Sequence, residues 1–243
     1  MYRVKACGIT HRGKVKGKNE DALLIDNKIL QEEVISSPLC VEEERDYFLF
    51  AVADGLGGHA CGEMASLIVL KTLMEEKPKS PEDINMALHK ARDNLEAFAN
   101  QNPDCYDLGS AIAGLVLTQK DTIVFNVGDC RVYGIKDQQV ERLTQDHTEV
   151  ERLIRFGYIT QEEAKHHPYR HVLTSALIGS ASFREFEVFI KSVENYRSFL
   201  ICSDGLWDMV EDHELTLPPS ELISKALSRT ATDNITFIRV DVA

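Results

Sequence analysis

Apolar residues fall along this chain in short runs of strand length rather than in one long span. Runs at 22–25, 47–53, 112–117, 122–127, 131–135, 199–202 and 235–242 are mostly β-branched or aromatic, which predicts strands. Two stretches, from about 59 to 76 and from about 81 to 99, are helical in pattern. The second has a defined start: Ser80, then Pro81 at the first helical position, then Asp83 three residues after the serine. Leu88, Ala91, Leu95 and Phe98 then share one face, which predicts packing against a sheet. Two consecutive helices do not fit a simple βαβ repeat, and the strands around them succeed one another closely, as hairpins do. The expected class is α+β, with antiparallel sheet covered by helices on its outer face.

There is no internal repeat, low-complexity tract or linker, so residues 1–243 are expected to form one domain. The charged segment 42–46 reads as a solvated loop between strands. With 39 acidic against 27 basic side chains, the formal charge is -12, which would repel nucleic acid and anionic lipid. No stretch approaches the ~18 to 20 consecutive apolar residues of a membrane span, and the opening MYRVKACGIT lacks the features of a secretory signal. A cytoplasmic location is expected. The six cysteines (Cys7, Cys40, Cys61, Cys105, Cys130, Cys202) never form a CxxC, so free, mostly buried thiols are expected rather than a zinc site or a disulfide framework.

The chemistry gathers where strands end. LFAVADG, IVFNVGD and FLICSDG place Asp54, Asp129 and Asp204 where buried strands emerge, and Glu20, Asp21 and Asp233 flank two further strands. A single aspartate in such a place is commonly a turn former. Several converging carboxylates need a counter-charge, and an all-oxygen set without cysteine or histidine points to Mg²⁺ or Mn²⁺. Calcium fits less well, because no contiguous acidic loop of the EF-hand kind is present.

Seven segments carry a resemblance: KGKNEDALL, AVADGLGGHACGEMAS, LGSAIAG, VGDCRVY, LTQDHT, ICSDGLWDMV and TDNITFIRV. In this order and spacing they resemble the metal-dependent protein phosphatases of type 2C, and in particular the bacterial serine/threonine enzymes. The resemblance implies two packed antiparallel sheets flanked by helices, with a two-metal centre at one end of the sandwich. It implies that Asp54 bridges both ions, that Asp204 and Asp233 complete one site, and that the carbonyl of Gly55 serves the other. Glu20 and Asp21 would hold metal-bound waters or orient the shell, and Asp129 with Asp204 would form a third, weaker site. Two ions ~3.5 to 4 Å apart can ionise a shared water near neutral pH and hold it in line with phosphorus, so no phosphoenzyme is needed. The implied partners are a phosphorylated protein and a serine/threonine kinase whose action is reversed, with the enzyme a monomer.

Lys16 stands where members of this family usually carry a phosphate-gripping arginine. Lysine keeps the charge and loses the bidentate fork, so weaker or less directional phosphate binding is expected. Arg12, Lys14, Lys16 and Lys18 alternate, and in an extended segment they would share one face, which either guides a phosphorylated substrate in or, Lys16 apart, is a solvated hairpin whose lysines serve solubility. His59, after the glycine-rich turn, could protonate the leaving alkoxide or merely begin a helix. His166, His167 and His171 read as loop residues, because Pro168 interrupts any helix that would align them. Residues 149–172 fall where the resemblance implies a flap, with Thr160 and Glu163 forming a capping box inside it. Trp207 and Met209 are expected to pack behind the site, and Asp208 is a candidate for the outer metal shell.

GLGGHACGE lacks the Gly-Lys-Ser/Thr ending of a P-loop, and neither a DxDx(T/V) nucleophile nor a cysteine followed by arginine in a phosphate loop occurs. The competing reading is a pseudophosphatase that keeps the fold as a phosphopeptide-binding module. Its signature would be loss of the metal-binding aspartates, yet Asp21, Asp54, Asp204 and Asp233 all remain.

Overall fold

The computed structural model describes residues 1–35, 37–56, 61–180 and 185–243. Among these residues two antiparallel sheets face one another. One holds six strands in the order Leu39–Arg45 (β4), Tyr2–His11 (β1), Ile235–Val242 (β13), Ser198–Cys202 (β12), Arg131–Lys136 (β8) and Gln139–Arg142 (β9). The other runs Phe189–Ser192 (β11), Thr122–Val127 (β7), Gly109–Thr118 (β6), Tyr47–Gly55 (β5), Asp21–Ile25 (β2) and Lys28–Leu30 (β3), with Leu177–Ile178 (β10) joining β6.

The two-residue period of a strand divides its side chains between two cores. Leu23 and Ile25 of β2 face the opposite sheet and pack with Phe50, Phe199 and Ile238. Their neighbours Ala22 and Leu24 face helices α1 (Gly62–Glu76) and α2 (Pro81–Gln101). A strand covered on both faces has no polar side to offer, and β6 (GSAIAGLVLT) is buried at every position but its last. On the far side, α5 (Asp204–Trp207) and α6 (Pro219–Ser228) bring Leu206, Leu222 and Ala226 against Leu200 and Phe237. The resulting layers are helix, sheet, sheet, helix, as expected for the α+β class.

Local signals operate as the sequence predicts. Ser80 accepts a hydrogen bond from the Asp83 N–H at 3.1 Å, and Pro81 occupies the first turn of α2. Between β9 and β10 lie α3 (Glu149–Arg155) and α4 (Gln161–Lys165), the latter opened by the Thr160–Glu163 capping box.

Three expectations are corrected. Segment 42–46 is not a loop: most of it belongs to β4, where Glu42 lies opposite Lys5 and Glu44 opposite Arg3. As an edge strand it can carry a charged outer row, and Arg3 binds Glu42 at 2.8 Å. The cysteines are not all free. Cys7 and Cys40 are register partners of β1 and β4 and form a disulfide, and Cys61 at the start of α1 is bonded to Cys105. Separations of 33 and 44 residues hide both pairs from any rule of local spacing. Cys130 and Cys202 are the buried free thiols expected. The basic residues 12–18 do not form an extended face, because the chain turns at Gly13, whose φ is +78. The first helix begins at Gly62, and His59 lies outside the described residues.

Candidate metal centre

Strand register places the first two carboxylates. β2 begins where β5 ends, so Asp21 lies directly opposite Asp54 and both project to one face. Asp204 follows β12 and Asp233 precedes β13; these strands are neighbours, so both residues reach the same end of the sandwich. Asp129 follows β7 through a turn at Gly128, whose φ is +92. The negative charges of Asp21, Asp204, Asp129 and Asp233 all act on Asp54, which gathers the five carboxylates into one volume.

Two glycines permit the close approaches that the cluster needs. A Cβ on Gly55 would lie 2.2 Å from the carbonyl oxygen of Gly62, so only glycine lets α1 begin against the end of β5. A Cβ on Gly205 would lie 1.9 Å from the carbonyl oxygen of Asn234, where α5 packs onto the turn carrying Asp233. The Asn234 side chain ties that turn to the amino-terminal loop. Its Oδ1 accepts from the Glu20 N–H at 2.8 Å, and its amide donates to the carbonyls of Arg12 and Lys18, both at 2.9 Å. Ser203 donates to Asp21 Oδ2 at 2.7 Å, and the Ser66 hydroxyl donates to the Glu20 carbonyl. On the other flank, His147 Nδ1 accepts from the Gly128 N–H at 3.0 Å, and the Trp207 indole donates to the Asp129 carbonyl at 3.0 Å.

Enclosing so many like charges is unfavourable unless protons or cations join them. Burial first, and then the charges of Asp204 and Asp233, push Asp21 up to about 7 despite the hydrogen bond from Ser203. Desolvation and the neighbouring carboxylates likewise hold Asp54 and Asp129 well above the ordinary range, and burial raises Glu20. Asp21 is fully buried, and among the described residues its Oδ1 has no hydrogen-bond partner, nor has Oδ1 of Asp204. Orphaned carboxylate oxygens converging in one place are the donor chemistry of hard divalent cations, so the residues fit such ions.

Lys16 reaches this cluster: its Nζ lies 2.9 Å from Asp233 Oδ1. Burial alone would lower its pKa, but the hydrogen bond and charge of Asp233, with Asp54 and Glu20, raise it, so the ammonium is held charged. The other basic residues of the loop turn elsewhere, Lys14 to the Arg229 carbonyl and Lys18 to Glu63. His166 caps α4, whereas His171 is brought to the cluster, with Nδ1 3.5 Å from Asp204 Oδ2. It is the loop residue expected, and Pro168 prevents a shared helix but not the approach of the loop to Asp204. Trp207 packs with the outer core as expected, and Asp208 faces Arg170 and His171. Asn234, Ser203 and His147 were not legible as site residues, although Asn234 and Ser203 adjoin Asp233 and Asp204 and His147 lies within LTQDHT.

The chain is similar to known proteins over nearly all of its length. A family model described as protein phosphatase 2C matches residues 30–236. The serine/threonine phosphatase stp of Listeria monocytogenes is 29% identical over 252 residues, an alignment covering 96% of this chain and 93% of that protein. The crystal structure of the Mycobacterium tuberculosis serine/threonine phosphatase PstP/Ppp matches with a TM-score of 0.81 at 28% identity, covering 98% of each chain. The catalytic domain of PstP in complex with two manganese ions matches with a TM-score of 0.77 at 26% identity over 100% of both chains.

Proposed function

Because the chain belongs to the protein phosphatase 2C family, we propose how its own residues divide the work of hydrolysing phosphoserine and phosphothreonine in proteins. The observation that carries the assignment is the pairing of Asp21 with Asp54 across β2 and β5, in one volume with Asp129, Asp204 and Asp233. Asp54, on which the charges of the other four carboxylates act, would hold two divalent ions, Mg²⁺ or Mn²⁺. Asp204 and Asp233 would help to hold one ion, and the Gly55 carbonyl the other. Glu20 and Asp21 would hold metal-bound water or orient the shell, and Asp129 with Asp204 would hold a third ion. When bound, the ions supply Lewis acidity that ionises the attacking water and offsets charge on the phosphoryl oxygens.

The remaining parts position and neutralise. Ser203 orients Asp21 through its 2.7 Å hydrogen bond, and Asn234 locks Glu20 to the loop that carries Lys16. Lys16 stays cationic beside Asp233 and meets the substrate phosphate as a point charge. The Gly55–Gly62 contact fixes the backbone on which Asp54 and the Gly55 carbonyl stand, so the donors need little reorganisation during turnover. Residues 1–243 act as one catalytic unit, a monomer, with 149–172 as a flap that influences substrate choice. The partner is a phosphorylated protein modified by a serine/threonine kinase. Among the described residues no helix is long and apolar enough to cross a membrane.

Phosphate release from a phosphothreonine peptide, measured in EDTA, Mg²⁺ and Mn²⁺, tests this reading. Turnover is expected with a divalent ion and not in EDTA. A folded protein that binds the peptide but releases no phosphate with any ion would instead establish the phosphopeptide-binding module.

A further inference from the structure

The first turn of α1 forms one wall of the carboxylate cluster. A Cβ on Gly55 would lie 2.2 Å from the Gly62 carbonyl oxygen, and a Cβ on Gly62 would lie 2.8 Å from Glu20 Oε1, so this turn touches both Gly55 and Glu20 closely. The Ser66 hydroxyl donates to the Glu20 carbonyl, Glu63 pairs with Lys18 at 3.2 Å, and the Glu63 carbonyl accepts from Gln31 Nε2 at 2.6 Å. A displacement of the start of α1 therefore acts directly on Glu20 and Gly55.

A crosslink, and not a side-chain cap, fastens that start. Cys61 precedes α1 with φ +72, and its side chain makes no capping hydrogen bond. A residue with a Cβ holds the left-handed region only where its surroundings impose it, and the bond to Cys105 is such a constraint. Cys105 closes the short turn Pro103–Cys105 between α2 and β6, and this turn is itself fixed: the Cys105 N–H donates to the Asn102 carbonyl at 2.8 Å, and the Leu108 N–H to the Cys105 carbonyl at 3.2 Å. Solvent reaches the pair, since Cys61 is half-buried and Asp104 and Tyr106, on either side of Cys105, are exposed. The second disulfide lies elsewhere. Cys7–Cys40 joins β1 to the edge strand β4, with Cys7 opposite Arg239 in the middle of β13, away from the strand ends that bear the carboxylates.

We propose that Cys61–Cys105 is a thiol–disulfide exchange site, through which a dithiol reductant sets the placement of the first turn of α1 and with it the capacity of the Glu20–Gly55 side to hold an ion. The inference rests on the reading above that the carboxylate cluster holds divalent ions. A thiolate of the reductant attacks the sulfur of Cys61, the more exposed residue of the pair, and the Cys105 thiolate leaves and takes up a proton. The second thiol of the reductant then attacks the reductant's own sulfur in the mixed disulfide and releases Cys61 as a thiol. The protein has gained two electrons and two protons, and the reductant has become a disulfide. Oxidised glutathione reverses the exchange and leaves as two glutathione thiols. With the bond open, α1 stays docked through Ala65, Val69, Leu70 and Leu73, so the change is confined to the turn that touches Glu20 and Gly55.

The full chain carrying Cys7→Ser and Cys40→Ser would be reduced anaerobically with dithiothreitol, freed of the reductant and then reoxidised with oxidised glutathione, with the state of Cys61 and Cys105 read at each stage by alkylation and mass spectrometry. Wild type and Cys105→Ser would be taken through the same steps, so the test does not depend on the double variant folding. Each sample is measured for Mn²⁺ affinity by calorimetry, for hydrogen exchange of residues 62–66 without metal, and for turnover of a phosphothreonine peptide. Opening the bond should weaken Mn²⁺ binding about tenfold, as the loss of an outer contact to a metal site does, and should speed exchange at 62–66 and lower turnover. Oxidised glutathione should restore all three, and untreated Cys105→Ser should match the reduced protein. Two free thiols at Cys61 and Cys105 with Mn²⁺ affinity and exchange unchanged would overturn the proposal, as would a pair that stays unbonded in oxidised glutathione. If reduction weakens Mn²⁺ binding but neither form releases phosphate, the exchange site stands and the hydrolytic reading fails. If neither form binds Mn²⁺, the metal reading fails and the proposal fails with it.

Discussion

Lys16 brings a cation to the edge of the carboxylate cluster. Its ammonium lies 2.9 Å from Asp233 Oδ1 and is held charged by the carboxylates around it. A point charge can neutralise a phosphate, but it lacks the planar fork that fixes a phosphate's orientation. Lys16→Arg is expected to lower KM for a phosphothreonine peptide about threefold to tenfold with kcat little changed, corresponding to roughly 1 kcal/mol of added binding. Steady-state kinetics over a range of peptide concentrations checks this; a KM that rises would mean that the guanidinium does not fit beside Asp233. The carboxylates that define the site were legible from sequence because each stands at one end of an apolar run. His171 was not, since only the path of the chain after Pro168 brings its ring to Asp204. Asn234 was hidden for a related reason: its three hydrogen bonds reach back more than 200 positions, to Arg12, Lys18 and Glu20.

The element nearest the site is α1, which begins against Gly55 and is held at its start by the bond between Cys61 and Cys105. Closing a loop of 44 residues restricts the unfolded chain, and on chain-entropy grounds the link contributes about 2 to 4 kcal/mol. Cys105→Ser should lower the free energy of unfolding by that amount in denaturant titration, and with reductant in both samples, which also opens Cys7–Cys40, the difference between the two proteins should disappear. Equal stability of the two proteins without reductant would show that the link is absent in solution. The central strands were readable because β5 and β6 are apolar at nearly every position. β1 was not, because in YRVKACGITH charged, small and hydroxyl residues break the run, and its burial comes from lying between β4 and β13. β4 was missed for the opposite reason: its charges suit an edge strand as well as a loop.

At the scale of the whole molecule, the protein holds a concentrated negative site together within a chain of net charge -12. In the metal-free protein, burial pushes Asp21 from 3.8 up to about 7, so between these values the folded state binds a proton that the unfolded chain has already lost. Stability without metal should therefore fall as pH rises from 3.8 towards about 7, and Asp54 and Asp129, also raised, act in the same direction. Thermal unfolding in EDTA across that range should show the decline, and Asp21→Asn should flatten it. Mn²⁺ should restore stability most strongly at the upper end, where the carboxylates are ionised. The central claim is that Asp54 organises an ion-dependent hydrolytic centre. It is tested most directly by measuring Mn²⁺ binding calorimetrically and phosphothreonine-peptide turnover on the same samples of wild type and Asp54→Ala. Loss of tight Mn²⁺ binding together with at least about a thousandfold loss of turnover, in a variant that remains folded, is the predicted result. An Asp54→Ala protein that binds Mn²⁺ and turns over as the wild type does would contradict it.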